Sequence, residues 1–465
     1  MIFPAVPDAA LTELGRTEGG ADTLALLIRD QDTRRLLLLR AVLDAAETAD
    51  PVLCPPTAKA RLREDWELLT AADRATGPDS PARTRLGHPL LGPWARRCLT
   101  GLDPRTGPPT EDRRRELACD LAYFGAVAAV AAARAGIPFT VDLTARDGIL
   151  VLPSLGALRR AEPDDAPVHV THDRGRMTLD GVTVHLEQDN GAWSGSLAWT
   201  PAYALPGLVP GAPPLPLDDL DPYRVPPREP DQYALSGPAG ADDAERKRWL
   251  QSWSGTAAVL RTGGEHRLTE AVALLRCLVP LEMPPGAGGR GSCSGTRRDA
   301  FGALLSSAPV TRVAFAATVV HELQHAKLAA LTEMLELHRA GPAARYFAPW
   351  RPDPRPYDGL LQGAYSHLAL ADFFQRRALG VERARSGGAW AQYARYHAQV
   401  GAALPALVGS SDLTAEGRRF VHEMVAAHER LAERPAPRGH TARAQAYVKA
   451  VRALWTQRQP RNESH

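Results

Sequence analysis

The chain has 465 residues, 44% of them hydrophobic, enough to bury a sizeable core in two or three domains. Lys and Arg number 55 against 53 Asp and Glu, a formal net charge of +2 that excludes the basic signature of a nucleic-acid-binding protein. The five cysteines, at 54, 98, 119, 277 and 293, form no C-x-x-C pair and read as reduced thiols rather than disulfides or a zinc knuckle.

Met1-Ile2-Phe3-Pro4 lacks the charged and apolar regions of a signal peptide, and Leu121–Ala133 is too short to span a bilayer, so a cytoplasmic protein without a membrane segment is expected. Residues 1–135 read mainly as helices, over Asp32–Ala49, Gly87–Thr100 and Thr110–Ala135, with Gly136-Ile137-Pro138 ending the last. His88, before Pro89, falls at a helix start. In 136–204 the period shortens to two. Phe139–Leu143, Gly148–Leu152, Val168–Val170, Val182–Leu186 and Ser194–Trp199 read as strands of a small antiparallel sheet, with His169, His172 and His185 on its wet face. Residues 205–240 are rich in proline and acids and read as a linker or strap. Helices resume in 241–465, the expected catalytic domain, and Gln457–His465 should fray. Gly286–Gly291 has no following Lys-Ser/Thr and reads as a flexible loop, and Cys293 as a small apolar filler. His422-Glu423 and His428 read as an ordinary solvated helix, the two histidines lying on nearly opposite faces. The expected class is α+β, predominantly α-helical, with the small sheet inserted between an N-terminal helical region and a C-terminal helical metal-site domain.

The chemistry concentrates in Val319-Val320-His321-Glu322-Leu323-Gln324-His325. Two imidazoles at i and i+4 share one helix face and can grip one divalent ion, with a carboxylate beside the first. The run from Thr311 to Arg339 has no Gly or Pro and predicts one long helix, stopped by Gly341-Pro342. A third donor is needed. The metzincin extension is absent, since Leu328 and Leu331 stand where Gly and His would be required. Glu333, Glu336 and His338 lie roughly 12 to 20 Å further along that helix. His367 is the best candidate. It shares a helix face with Gly363, Ala364 and Ala371, small residues that admit a close neighbour. Asp353, Asp358 and Asp372 are the carboxylate competitors.

An ordered series surrounds these residues: Gly87–Trp94, Arg146–Gly156, Ser294–Gly302, the His-Glu-Leu-Gln-His helix, Ala348–Pro356 and Gly363–His367. Over nearly the whole chain it resembles the HExxH-containing peptide-modification proteins of bacterial ribosomal-peptide pathways, some of which are fused to radical SAM enzymes. The resemblance implies an iron(II)- and 2-oxoglutarate-dependent β-hydroxylase acting on side chains of a ribosomally made precursor peptide. A radical SAM or other peptide-maturation enzyme would then be a working partner.

Three readings of the site follow. In an oxygenase His321, His325 and His367 hold iron(II), leaving positions for the keto acid and oxygen, and Glu322 orients a ligand or water. The usual oxygenase set is two His and one carboxylate, so an all-His set departs from it. In a zinc metallopeptidase the same ligands activate water, with Glu322 as general base. The third reading is a catalytically silent peptide-binding protein. The distal carboxylate of 2-oxoglutarate calls for an arginine. Arg298 and Arg355 flank the metal helix and Arg351 is close behind, while Arg376 and Arg377 are weaker choices. An open edge of the 137–203 sheet would accept an extended peptide as an added strand.

Overall fold

The computed structural model describes residues 5–77, 80–107, 110–187, 191–224, 237–283, 293–380 and 386–458. The expected Gly286–Gly291 loop, part of the 205–240 strap and the end beyond 458 lie outside these residues. The fold is α+β and predominantly helical, with three small sheets between helical regions.

The N-terminal helices are Asp8–Gly15, Ala21–Thr48, Pro56–Thr76, Pro81–Leu86, Leu91–Leu102 and Glu111–Arg134. The Thr110 hydroxyl caps the last by accepting from Arg113 N. Its alanine-rich centre is buried on two sides. Leu121, Phe124 and Ala128 pack with Trp94 and Leu69, while Ala126, Ala129 and Val130 pack on Leu143, Val168 and Val170 of a sheet. By length and composition this helix could cross a membrane, but 78% of its most apolar window is buried inside the protein. It is a core helix.

The first sheet takes Phe139–Thr144, Pro167–Asp173, Arg176–Leu179, Val182–Leu186 and Ala192–Trp193 in antiparallel order. Its alternation buries Val168, Val170 and His172 together. His172 is therefore not on the wet face. Its Nδ1 lies 2.7 Å from Ile137 O, and its ring packs on Phe139. A second sheet joins Ile149–Leu152, Gly156–Arg159 and Trp199–Pro201. The strand expected over Ser194–Trp199 does not form, because Ser194 Oγ bonds Thr183 O and Ser196 Oγ accepts from Ala198 N, turning the chain from one sheet to the other.

The third sheet, ordered Ser294–Gly295, Ala303–Ser307, Cys277–Leu281, Leu215–Leu217, Tyr203–Leu205, was not anticipated. Cys277–Leu281 and Ala303–Ser307 run parallel and are buried throughout, so neither shows alternation. Leu215–Leu217, within the expected strap, pairs with both neighbours.

Among the described residues, eight helices make up most of the rest: Asp243–Trp253, Thr256–Thr262, Glu265–Leu274, Arg312–Met334, Tyr357–Gly380, Gly387–Val408, Ala415–Ala432 and Arg438–Arg458. The helix bearing the His-Glu-Leu-Gln-His motif ends at Met334, not Arg339. Beyond it the backbone finds tertiary partners: Thr414 Oγ1 donates to Glu336 O at 2.7 Å, and His338 bridges Leu413. His428 is not simply solvated either. Its ring stacks on His397, centroids 3.9 Å apart.

Candidate metal centre

The Arg312–Met334 helix (the motif helix) starts where Thr311 Oγ1 accepts from Ala314 N. Phe315, Val319, Leu323 and Leu331 bury one side. On another side Lys327, fully buried, donates to Glu270 Oε1 at 2.6 Å, and Arg267, 1% exposed, pairs with Glu270 Oε2 at 3.2 Å. Arg267 and Lys327 also donate to Thr17 O. A buried charge cluster tolerates little displacement. It sets the rotation of the helix and turns His321 and His325 toward the helix Tyr357–Gly380 (the facing helix).

There two of the predicted ligands meet, and the third lies near them. His321 and His325 present their Nε2 atoms to each other at 3.1 Å. Two imidazoles bound to one ion at about 2.0 to 2.1 Å stand roughly 3 to 3.5 Å apart, so the spacing suits a shared metal. The His367 ring faces His321 with centroids 5.8 Å apart. The three donor atoms do not all lie within 4.8 Å of one another. The buried His367 Nδ1 has no hydrogen-bond partner among the described residues. Two facing Nε2 atoms, with a third imidazole nearby that has an orphaned buried nitrogen, are donor types that suit a divalent ion.

Burial pushes the His321 imidazole down to about 4, His325 adding to the effect against the pull of Glu322. Burial, then His321, His325 and Arg395, hold His367 well below the ordinary range. Both are therefore neutral at physiological pH, as metal ligation requires. His325 is oriented from across the interface, since its Nδ1 lies 3.0 Å from Gln362 Oε1 on the facing helix. An Nδ1–H donated to that oxygen leaves Nε2 bare for an ion.

Gly363 does not admit a second helix, as its size suggested, but an indole: a methyl group there would lie 2.2 Å from Trp350 Cζ2. Trp350 and Tyr396 pack edge-on against His367, centroids 4.7 and 5.0 Å away.

Glu322 is 3% exposed. Ser294 Oγ donates to its Oε1 and Thr296 Oγ1 to its Oε2, each at 2.7 Å, and Thr296 also reaches its backbone oxygen. Its carboxylate is thus tethered to the short strand Ser294–Gly295 and the residue after it.

The carboxylate competitors are engaged elsewhere. Asp353 pairs with Arg351, and Asp358 with Arg298 and His338. Asp372 accepts from Arg267 and Arg376. Burial opposes its charge, but His266, Arg267 and Arg376 outweigh that and hold its carboxyl far below the usual range. The same pairings sort the arginines. Arg298, with a side chain 60% exposed, is committed to Asp358 at 2.6 Å, and Arg351 to Asp353 at 2.7 Å. The half-buried Arg355 reaches back toward Gly359 and has no carboxylate partner among the described residues. Arg376 pairs with Asp372, and Arg377 bonds Thr262 Oγ1.

Gln362, Ser294, Thr296, Trp350 and Tyr396 had no role assigned from sequence. All but Tyr396 lie within or beside the ordered series, the one signal that could have pointed to them. A search of known family descriptions and of curated proteins finds no match to this chain.

Proposed function

We propose that this chain is an iron(II)- and 2-oxoglutarate-dependent hydroxylase of side chains in a ribosomally made precursor peptide, working in the cytoplasm beside other peptide-maturation enzymes. The observation that carries the metal reading is the facing pair His321 and His325 near His367, with Gln362 orienting His325. The choice of hydroxylation rests on the resemblance of the ordered motifs. Iron bound there would supply the oxidation of the peptide C–H bond at the expense of the keto acid and O₂.

The chain's own residues have definable tasks. Neutral His321 and His367 offer lone pairs without first losing a proton. Trp350 and Tyr396 wall His367 from bulk water. Arg355, with no carboxylate partner among the described residues, is the least committed of the three arginines and the one assigned to the far carboxylate of 2-oxoglutarate. Tethered on both oxygens, Glu322 is suited to fixing its neighbours more than to shuttling protons.

A zinc peptidase is the second reading, favoured by the His321-Glu322-Leu323-Gln324-His325 motif taken alone, with Glu322 as general base. Incubating the iron-loaded protein with 2-oxoglutarate and the product of an adjacent small open reading frame separates the two. Succinate and a peptide heavier by one oxygen atom are expected. Oxygen-independent cleavage of that peptide would overturn the hydroxylase.

A further inference from the structure

A second cavity, about 810 Å³ in volume, has none of the three histidines in its lining. It lies where Pro81–Leu86, Glu111–Arg134 and Glu265–Leu274 meet beneath Pro213, Pro214 and Pro216. Its volume falls within the range of small-molecule sites.

Two of its arginines lack what a buried cation needs. Arg85 is 9% exposed, its guanidinium makes no hydrogen bond among the described residues, and its Nε is enclosed without a partner. Arg134 donates through Nη1 to Glu187 O at 2.8 Å, but its enclosed Nη2 has no acceptor among the described residues. Arg85 and Arg134 line the same cavity, and burial first and then the charge of Arg85 lower the Arg134 guanidinium. Unsatisfied buried donors on paired like charges are costly unless an anion joins them.

The cavity's own acids are committed. Asp32 accepts from Arg35 and Arg276, each at 2.7 Å. Asp218 feels the charge of Arg85 but accepts its hydrogen bonds from His88 and the Cys277 thiol. The His88 proton sits on Nε2, 3.0 Å from Asp218 Oδ2, because Nδ1 accepts from Leu90 N. Ligand atoms of His88, Asp218 and Cys277 lie within 4.8 Å of one another, the spacing of a metal site. Both imidazole nitrogens are already used there, however, and Arg85 adds positive charge. The chemistry favours an anion over a cation.

We propose that this cavity binds a small organic anion, its phosphate or carboxylate group held between Arg85 and Arg134 and its apolar body against Leu208, Trp253 and the prolines. Guanidinium forks suit either group.

Calorimetric titration of the full chain with phenyl phosphate, phenylacetate and benzyl alcohol tests this. One or both anions should bind one to one, at least about tenfold more tightly than the neutral alcohol, and the tighter of them tells phosphate from carboxylate. Arg85→Gln and Arg134→Gln should each weaken that binding about tenfold or more. Arg40→Gln, outside the cavity lining and paired with Asp44, should leave it unchanged. Should Arg85→Gln fail to fold, Arg134→Gln decides alone. The proposal falls if wild type binds neither anion, if benzyl alcohol binds as tightly, or if anion binding survives the loss of Arg134.

Discussion

His325 and Gln362 meet across two helices, with the imidazole Nδ1 3.0 Å from the amide Oε1. The same helix that carries His367 therefore also aims His325. A metal held here would depend on both helices keeping their register.

Metal content after dialysis should follow that geometry. His321→Ala, His325→Ala and His367→Ala are each expected to remove most of the iron. Gln362→Leu should keep the fold and lose about 10- to 100-fold in metal affinity. Asp353→Asn, Asp358→Asn and Asp372→Asn should leave occupancy unchanged. Full occupancy in His367→Ala with loss in one of the Asp variants would reassign the third ligand.

Arg355→Ala should raise the 2-oxoglutarate requirement about 10- to 150-fold, the effect of losing a charge-assisted contact of about 1.5 to 3 kcal/mol, with the metal retained. Arg298→Ala, which frees Asp358, should change it much less. Succinate formation at varied cosubstrate concentration gives the comparison. A larger effect at Arg298 would mean that its pairing with Asp358 is exchanged for the cosubstrate.

Glu322→Gln distinguishes the chemistries. Glutamine can still accept from one hydroxyl, so metal and reduced succinate formation should persist. A hydrolase would lose turnover entirely. Ser294→Ala with Thr296→Val, which strips both hydroxyls from a buried carboxylate, should lower stability by about 2 to 6 kcal/mol, read from urea unfolding.

Asp65 predicts a pH dependence unrelated to the site. It is 6% exposed, its Oδ2 has no partner, and burial raises its carboxyl to about 7, Arg61 notwithstanding. The folded state thus holds a proton that the unfolded chain releases near pH 3.8. This contribution to stability is full below that pH and is lost as pH rises to about 7, a change of at most about 4 kcal/mol. Asp65→Asn should flatten the slope of unfolding free energy over that window. An unchanged slope would show that the carboxyl is ionised in the fold.

Local periodicity made much of this legible. The motif helix declares itself because His321 and His325 repeat at helical spacing within a run free of Gly and Pro. His367 stood out through its small neighbours, although Gly363 turned out to seat Trp350. The hydrogen bonds from Ser294, Thr296 and Gln362 span 26 to 37 residues of chain, and no local period encodes such a pairing. Cys277–Leu281 and Ala303–Ser307 escaped because strands buried on both faces show no alternation. The motif helix was read five residues too long for a related reason, since propensity favours helix through Arg339 and only Thr414, far along the chain, competes for the carbonyls of Glu336 and Leu337.

The first turns of the chain hold the two helices that carry the candidate ligands. Leu14 O accepts the Tyr365 hydroxyl at 2.7 Å, Thr17 O takes Lys327 and Arg267, and Arg16 pairs with Glu423. The histidine-bearing half is thus not a cassette that can be cut out and moved. Excising residues 241–465 would leave a lysine and an arginine facing each other across Glu270 with their carbonyl acceptors gone. Any shortened version meant to keep its metal must carry the opening helix with it, or supply those acceptors another way.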